Sequence, residues 1–385
     1  MSDLTSKRVI ASAPDTNQPY RVMVVDDSAV IRGLLTRWLG SDPKIEVVAT
    51  ANNGEMALNL VSVAKPEIII LDIEMPKMDG LTALPKLLEK APGVRVIMAS
   101  TLTKRGADIS IRALAAGAAD YVPKPESTRE AGAAETFRKT LTEKILVLGA
   151  AGRRRATKVK GRVTTPATGR AEVHSAGLYG DAPVTLRVPS RQKPSVIVIG
   201  SSTGGPQALF KVLTALSGKV SVPILVTQHM PATFTAILAE HIARVSGLPC
   251  AEAIDGEVLR AGQVYVAPGE YHMTVVSKGA IPVIQLNQDP PENFCRPAVD
   301  QLFRGIARVY GNRALAAVLT GMGHDGLKGG EALVDAGGTL IAQDEDSSVV
   351  WGMPGAVATA GLCSAVLPIG KLGDELAHLA TGAAQ

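Results

Sequence analysis

The sequence is poor in aromatic residues, in cysteine and in long apolar runs. Only 3% of its 385 residues are Phe, Trp or Tyr, which argues against base-stacking nucleic-acid modules because these depend on aromatic platforms. The three cysteines, Cys250, Cys295 and Cys363, are far apart and form no C-x-x-C motif, so neither a disulfide framework nor a zinc site is expected. No apolar run reaches the ~18 residues of a membrane span, and the first residues lack the apolar core of a signal peptide. We therefore expect a cytoplasmic protein that does not insert into membranes.

Charge is nearly balanced, at a net +4, which is too small to indicate a polyanionic partner. Its distribution is uneven, because ten basic and only two acidic residues lie within residues 151–193. That stretch is rich in Pro, Gly, Ser and Thr and shows no sustained periodicity, so we interpret it as a basic, flexible linker. It is either a solvated tether or a contact for an acidic partner or an acidic neighbouring domain. Residues 1–19 are predicted to form a polar, disordered leader.

Short apolar runs alternate with amphipathic stretches on both sides of this linker. Before the linker the runs are residues 22–25, 45–49, 68–71, 94–99 and 119–122, with a last helix predicted over residues 133–148. After the linker the runs are residues 196–199, 224–227, 264–267 and 315–319. The alternation predicts two α/β domains with doubly wound parallel sheets, over residues 20–150 and 194–385. Functional groups collect beyond the C-terminal ends of the strands in such sheets.

Carboxylates follow two strands of the first domain, Asp26 and Asp27 after the first and Asp72 after the third. Anions so close together repel, and a hard divalent cation such as Mg²⁺ is the simplest way to offset the repulsion. Ser100 and Lys124 end two further strands, which favours a site for a phosphoryl group carried by Asp72. Alternatively, Asp26 and Asp27 are helix N-caps and Lys124 is an ordinary surface lysine.

This half resembles the receiver domain of bacterial response regulators, through residues 24–28, 71–80, 100–101 and 124–125. The resemblance covers about residues 20–135 and implies a flavodoxin-like fold of five parallel strands. It implies a histidine kinase as phosphodonor and Mg²⁺ as the cofactor for phosphorylation. The implied site consists of Asp72 as phosphoacceptor, Asp27, Asp72 and the backbone carbonyl of Glu74 on Mg²⁺, Asp26 acting through water, and Ser100, Tyr121 and Lys124 as switch residues.

In the second domain, a strand runs into the turn Gly-Ser-Ser-Thr-Gly-Gly-Pro at residues 200–206. The letters fit G-x-S-x-G with Ser202 at the centre, a strand-to-helix turn that exposes a nucleophilic hydroxyl. The amides that follow could hold an oxyanion at the start of the helix. The turn could instead bind a phosphate or be purely structural.

His229 and Asp325 follow two other predicted strands, so both side chains could meet Ser202 at one rim of the sheet. A serine needs a base at neutral pH, and His229 could take its proton while Asp325 orients the imidazole. His324 is a rival base, and Cys295 is a weaker candidate nucleophile because it lacks an evident partner histidine. Three further histidines, His241, His272 and His378, are expected to be surface or helix residues.

This half resembles the catalytic domain of chemotaxis receptor methylesterases of the CheB type, in residues 199–205, 228–231, 264–268, 294–300 and 319–326. The resemblance covers about residues 194–380 and implies catalysis by Ser202, His229 and Asp325, with Thr203 and Met322 supporting the oxyanion and no cofactor. It implies hydrolysis of glutamate methyl esters on chemoreceptors and deamidation of glutamines. It also implies that phosphorylation of Asp72 relieves a steric block by the receiver.

Three alternatives belong to other functional classes. A response regulator that binds DNA could use the basic linker as an anchor, but no helix-turn-helix pattern is present. A serine hydrolase could act on small or unrelated esters. An inactive scaffold is disfavoured because Ser202, His229 and Asp325 are all intact.

Overall fold

The computed structural model describes residues 18–101, 103–124, 131–161 and 184–382. It contains two α/β domains joined by the segment after the fifth helix. The predicted leader lies outside the described residues up to residue 17, as does the middle of the predicted linker, residues 162–183.

The first domain has one five-stranded parallel sheet with strand order β2-β1-β3-β4-β5. Side chains of β1 alternate between two cores, with Met23 and Val25 facing one helical layer and Val22 and Val24 facing the other. The predicted flavodoxin-like fold is therefore confirmed. The elements are β1 (Tyr20–Val25), α1 (Ala29–Leu39), β2 (Ile45–Ala51), α2 (Gly54–Ala64), β3 (Ile68–Asp72), α3 (Gly80–Lys90), β4 (Arg95–Thr101), α4 (Lys104–Ala115), β5 (Asp120–Lys124) and α5 (Ala131–Gly161).

Helix α1 is capped by Ser28, whose hydroxyl accepts a hydrogen bond from the amide of Ile31. The alternative in which Asp26 or Asp27 serves as the N-cap is therefore wrong. Because the cap is supplied by Ser28, both carboxylates remain available at the end of β1.

Helix α5 continues through residues 151–161, which we had predicted to be linker. Arg153 stabilises this extension, because its guanidinium binds the Glu67 carboxylate at 2.6 and 2.8 Å and lies 4.2 Å from the ring centroid of Tyr20. The far end of the predicted linker is also attached to the second domain, since Ser190 bonds to Thr339. Tertiary contacts therefore fix both ends of a segment that has no apolar periodicity of its own.

The second domain has a seven-stranded parallel sheet with order β14-β13-β12-β6-β7-β9-β8 and a separate antiparallel hairpin, β10-β11. The hairpin was not predicted; it turns at Gly279, whose positive φ of 64° suits glycine. The elements are β6 (Val196–Ser201), α6 (Gly205–Leu216), β7 (Ile224–Gln228), α7 (Ala232–Ser246), β8 (Cys250–Glu252), β9 (Val264–Val266), β10 (His272–Lys278), β11 (Ile281–Asn287), α8 (Val299–Tyr310), β12 (Ala314–Val318), α9 (Leu327–Asp335), β13 (Thr339–Gln343), α10 (Met353–Thr359), β14 (Ala365–Leu367) and α11 (Ile369–Thr381).

Several expectations drawn from composition can be compared with this fold. All three cysteines are free, which confirms that they form no disulfide framework. No helix in the described part of the chain is long and apolar enough to cross a membrane. His272 differs from expectation: it is fully buried in β10, where its Nδ1 accepts a hydrogen bond from the amide of Ala298.

Candidate active site

Three adjacent strands of the second sheet deliver the predicted catalytic side chains to one edge. Ser202 follows β6, the central strand of the three, while His229 follows β7 and Asp325 lies in the loop after β12. Strands β12 and β7 both pair with β6 in parallel. The expectation that these segments share one rim is therefore confirmed.

The turn that carries Ser202 can be built only from small residues. Gly204 adopts a positive φ of 76°, and a Cβ on Gly205 would lie 2.0 Å from the side-chain oxygen of Gln228. The buried Ser201 hydroxyl donates to that oxygen at 2.7 Å, and the Gln228 amide donates to the Ser202 carbonyl. Gln228 thus ties the turn to β7. No local sequence pattern marks this glutamine.

His229 and Asp325 form a direct pair, with 2.7 Å between Nε2 and Oδ2. Asp325 also accepts hydrogen bonds from the amides of Val299 and Asp300, at the start of α8, and its pKa is lowered. Burial alone would raise the pKa of this carboxyl, but the imidazole and the helix amides outweigh it. The carboxylate therefore stays charged and can orient the imidazole.

Two further residues support this carboxylate and were missed by the sequence analysis. The side-chain amide of Asn293 donates to both Asp300 and Asp325, at 2.9 Å in each case. Asp300 is fully buried and accepts from the amides of Gly326 and Gly329, which fixes the loop around Asp325. Asp300 could have been identified from the sequence as an acidic residue in the first turn of a predicted helix. No local sequence pattern identifies Asn293 as a functional residue.

The Ser202 hydroxyl makes no hydrogen bond with any residue that the structure describes. The Nδ1 atom of His229 instead lies 3.4 Å from the sulfur of Cys295. Ser202, His229 and Cys295 nevertheless line the same cleft. The expectation that Cys295 has no partner histidine is therefore wrong. The loop that carries Cys295 is distant from His229 in sequence, but it places the thiol beside the imidazole.

The oxyanion donors implied by the resemblance can be located beside Ser202. Gly321 packs closely on Ser202, since a Cβ at residue 321 would lie 2.9 Å from the serine Cβ. Met322 follows Gly321 in the chain and therefore lies next to the turn that carries Ser202. Among the described residues, neither the Thr203 amide nor the Met322 amide has a hydrogen-bond acceptor. Both amides are therefore free to donate to an oxyanion.

The rival base is placed elsewhere. His324 is exposed and makes no side-chain hydrogen bond with any described residue, although it precedes Asp325 in sequence. Arg296 lines the cleft, but its guanidinium donates to the carbonyls of Gln288 and Asp289 at 3.0 and 3.1 Å. His229 is therefore the histidine placed to act as base.

A second cluster lies at the end of the first sheet. Ligand oxygens of Asp26, Asp27 and Asp72 lie within 4.8 Å of one another, and the Lys124 ammonium donates to Asp26 and Asp72 at 2.6 and 2.7 Å. Burial, together with the Asp26 charge, raises the pKa of Asp72, although Lys124 opposes the shift. Three hard oxygen ligands, one of them on the exposed Asp27, suit Mg²⁺. The alternative that Lys124 is an ordinary surface lysine is wrong.

Among the predicted switch residues, Tyr121 contacts the second domain directly, and Ser100 contacts a helix that does so. Ser100 is buried and accepts a hydrogen bond from Ser110 of α4 at 2.9 Å. The Tyr121 ring stacks on Phe234 of α7, with 4.4 Å between ring centroids. Helix α4 packs against α6 and α7, so the switch surface of the first domain is part of the interdomain contact.

One hydrogen bond joins this contact directly to the nucleophile turn. The buried Thr203 hydroxyl donates to Asp120 at 2.7 Å, and Lys144 pairs with the same carboxylate. First-domain residues also line the Ser202 cleft, which encloses about 390 Å³. The first domain therefore forms part of the wall of the cleft that contains Ser202.

Comparison with known proteins gives the same two-part division. The family described as CheB methylesterase matches residues 197–376, and the response regulator receiver domain family matches residues 22–134. A protein-glutamate methylesterase/protein-glutamine glutaminase of Rhodospirillum centenum is 55% identical over 99% of both chains. Its namesake from Azospirillum brasilense is 58% identical, covering 95% of this chain and 94% of its own. The crystal structure of the Thermotoga maritima CheB methylesterase catalytic domain is 39% identical and covers 49% of this chain and all of its own, with a TM-score of 0.48.

Proposed function

Because this chain belongs to the family of chemotaxis protein-glutamate methylesterases/protein-glutamine glutaminases that carry a receiver domain, we propose that it hydrolyses its substrates with Ser202, His229 and Asp325. The observation that carries the proposal is the 2.7 Å pair between His229 and Asp325 in the cleft that also contains the Ser202 hydroxyl. The substrates are glutamate methyl esters on chemoreceptors, and the protein acts in the cytoplasm.

The reaction begins when the Ser202 oxygen attacks the ester carbonyl and its proton passes to the imidazole of His229. The Asp325 carboxylate stabilises the imidazolium that forms. The amides of Thr203 and Met322 donate to the oxyanion, and the imidazolium returns the proton to the departing methanol oxygen. Water then attacks the acyl-enzyme by the same route and frees the glutamate. A receptor glutamine follows the same path with ammonia as the leaving group.

Control acts through the receiver, and the support for this is that receiver residues form part of the lining of the Ser202 cleft. A chemotaxis histidine kinase is the phosphodonor, and Asp72 is the phosphoacceptor. Mg²⁺ would be held by Asp27, Asp72 and the Glu74 carbonyl, with Asp26 acting through water, and it offsets the negative charge of the phosphoryl group. A phosphoryl group on Asp72 attracts the Ser100 hydroxyl and Lys124, which alters the α4–β5 surface packed on the second domain.

The regulatory proposal predicts the result for Asp72→Asn. With acetyl phosphate and Mg²⁺, wild type should incorporate acid-labile phosphate. It should also release methanol from membranes with methylated chemoreceptors about tenfold faster than without phosphodonor, which corresponds to a change of about 1.4 kcal/mol in the equilibrium between covered and uncovered cleft. Asp72→Asn should show neither effect, because an amide forms no acyl phosphate. Asp79→Asn is the matched control, since an asparagine can still cap α3. Undiminished labelling of Asp72→Asn would remove that residue from its role.

The steric block predicts the result for Tyr121→Ala. Loss of the stacked ring weakens the interdomain contact, so methanol release without phosphodonor should rise. The expected rise is about two- to tenfold, which corresponds to the interaction free energy of one aromatic pair. Tyr20→Ala is the control, because that ring contacts Arg153 on α5 and lies outside the contact with α7. An unchanged basal rate in Tyr121→Ala, with phosphorylation intact, would argue against a block through this surface.

A further inference from the structure

The imidazole of His229 has two partners, and neither is the nucleophile. Its Nε2 atom is 2.7 Å from Asp325, and its Nδ1 atom is 3.4 Å from the sulfur of Cys295. Because Asp325 occupies one ring nitrogen, the Ser202 proton can pass only to the other. The nitrogen that the reaction requires is therefore in contact with a thiol.

The position of this thiol is fixed by the same loop that supports Asp325. Residues 292–295 form a tight turn. The Glu292 amide donates to the Cys295 carbonyl at 3.1 Å, and the Cys295 amide donates to the Glu292 carbonyl at 2.9 Å. Asn293 and Phe294 both have positive φ angles, 52° and 62°, a conformation that is strained for residues other than glycine. The side chain of Asn293 offsets this strain by bonding to Asp300 and Asp325.

We propose that Cys295 is a positioning residue for ester hydrolysis, whose thiol holds the reactive nitrogen of His229 until the Ser202 hydroxyl displaces it. This inference rests on the proposed function. Sulfur is a weak hydrogen-bond partner, so it can keep the ring oriented toward the cleft and still give way to an oxygen. The thiol takes no part in the covalent steps.

Several charged groups surround His229 and set its protonation. Burial opposes the charged imidazole, but the Cys295 sulfur, which is negative once its proton lies on Nδ1, and the Asp325 carboxylate outweigh burial and raise the pKa of His229. The other ionisable groups lining the cleft are Tyr121, Glu270, Arg296 and the ion-paired Asp120 and Lys144. The base must be neutral to accept the serine proton. A raised pKa therefore shifts the acidic limb of the rate profile to higher pH, and removal of Cys295 should shift it back.

The test compares full-length wild type with Cys295→Ala on p-nitrophenyl acetate, a small ester that needs no receptor docking. We expect the acidic limb of kcat/KM to move to lower pH by about one unit in Cys295→Ala, in line with the loss of one close partner. Cys295→Ser should lower kcat with little change in KM, because its oxygen competes with Ser202 more strongly for Nδ1. Cys250→Ala, a half-buried cysteine outside the cleft, is the matched control. An unmoved limb in Cys295→Ala would overturn the proposal.

A second measurement needs neither ester nor Ser202. Iodoacetamide should alkylate Cys295 fastest in the wild-type chain, because the thiol proton can pass to His229 while sulfur displaces iodide from the reagent's methylene carbon. Burial raises the pKa of both Cys250 and Cys363 to about 12, so these thiols serve as slow internal standards.

In His229→Gln the alkylation of Cys295 at pH 7 should slow about tenfold, since no imidazole accepts the proton. An equal rate in the two proteins would refute the thiol–imidazole contact. This outcome is distinguishable from failure of the proposed function, which would appear instead as ester hydrolysis that survives in Ser202→Ala.

Discussion

Ser202→Ala should lose at least about a thousandfold in methanol release from methylated chemoreceptors, because removal of the nucleophile leaves only the oxyanion donors and binding. The residual rate should not respond to acetyl phosphate, since uncovering the cleft cannot restore a missing hydroxyl. Release is measured from receptor membranes carrying a radiolabelled methyl group.

Ser201→Ala is the sharpest comparison, because the two serines are adjacent. The Ser201 hydroxyl is fully buried and bonds to Gln228, so its loss perturbs the turn without removing a group from the cleft. We expect a loss of at most about tenfold, in keeping with one buried hydrogen bond. A larger loss of activity in Ser201→Ala than in Ser202→Ala would show that Ser202 is not the nucleophile.

Asp325→Asn should reduce kcat by about ten-thousandfold, because an amide cannot stabilise the imidazolium and favours the wrong tautomer of His229. Asp325 accepts hydrogen bonds from the amides of Val299 and Asp300 and from Asn293. The new NH₂ group cannot accept such bonds, so the substitution also leaves at least one of these donors without its acceptor. Activity is measured on both receptor membranes and p-nitrophenyl acetate.

The control for this variant is Asp335→Asn, at the exposed end of α9, which should behave as wild type. Thermal unfolding separates loss of chemistry from loss of structure, because the expected rate effect far exceeds the destabilisation of one buried network. A folded Asp325→Asn that keeps more than a tenth of wild-type activity would contradict the assignment.

The predicted strand ends proved the most informative part of the sequence. Apolar runs such as residues 196–199 and 224–227 identify buried parallel strands, and the polar residue after each run must then lie at the functional edge. The structure places Ser202, His229 and Asp325 at one edge of the second sheet and the three aspartates at one edge of the first. The C-terminal end of α5 could not be predicted from the local sequence, because the contact of Arg153 with Glu67 joins residues that are far apart in the chain.

The sequence by itself determined the order of the two domains, the parallel character of both main sheets and the residues that close each strand, since these depend on local hydrophobic pattern and turn chemistry. Only the tertiary structure decided that Cys295 contacts His229, that Asn293 bridges two carboxylates and that Asp120 binds the nucleophile turn. Each of these contacts depends on how loops and domains pack, and packing joins residues whose spacing along the chain carries no periodic signal.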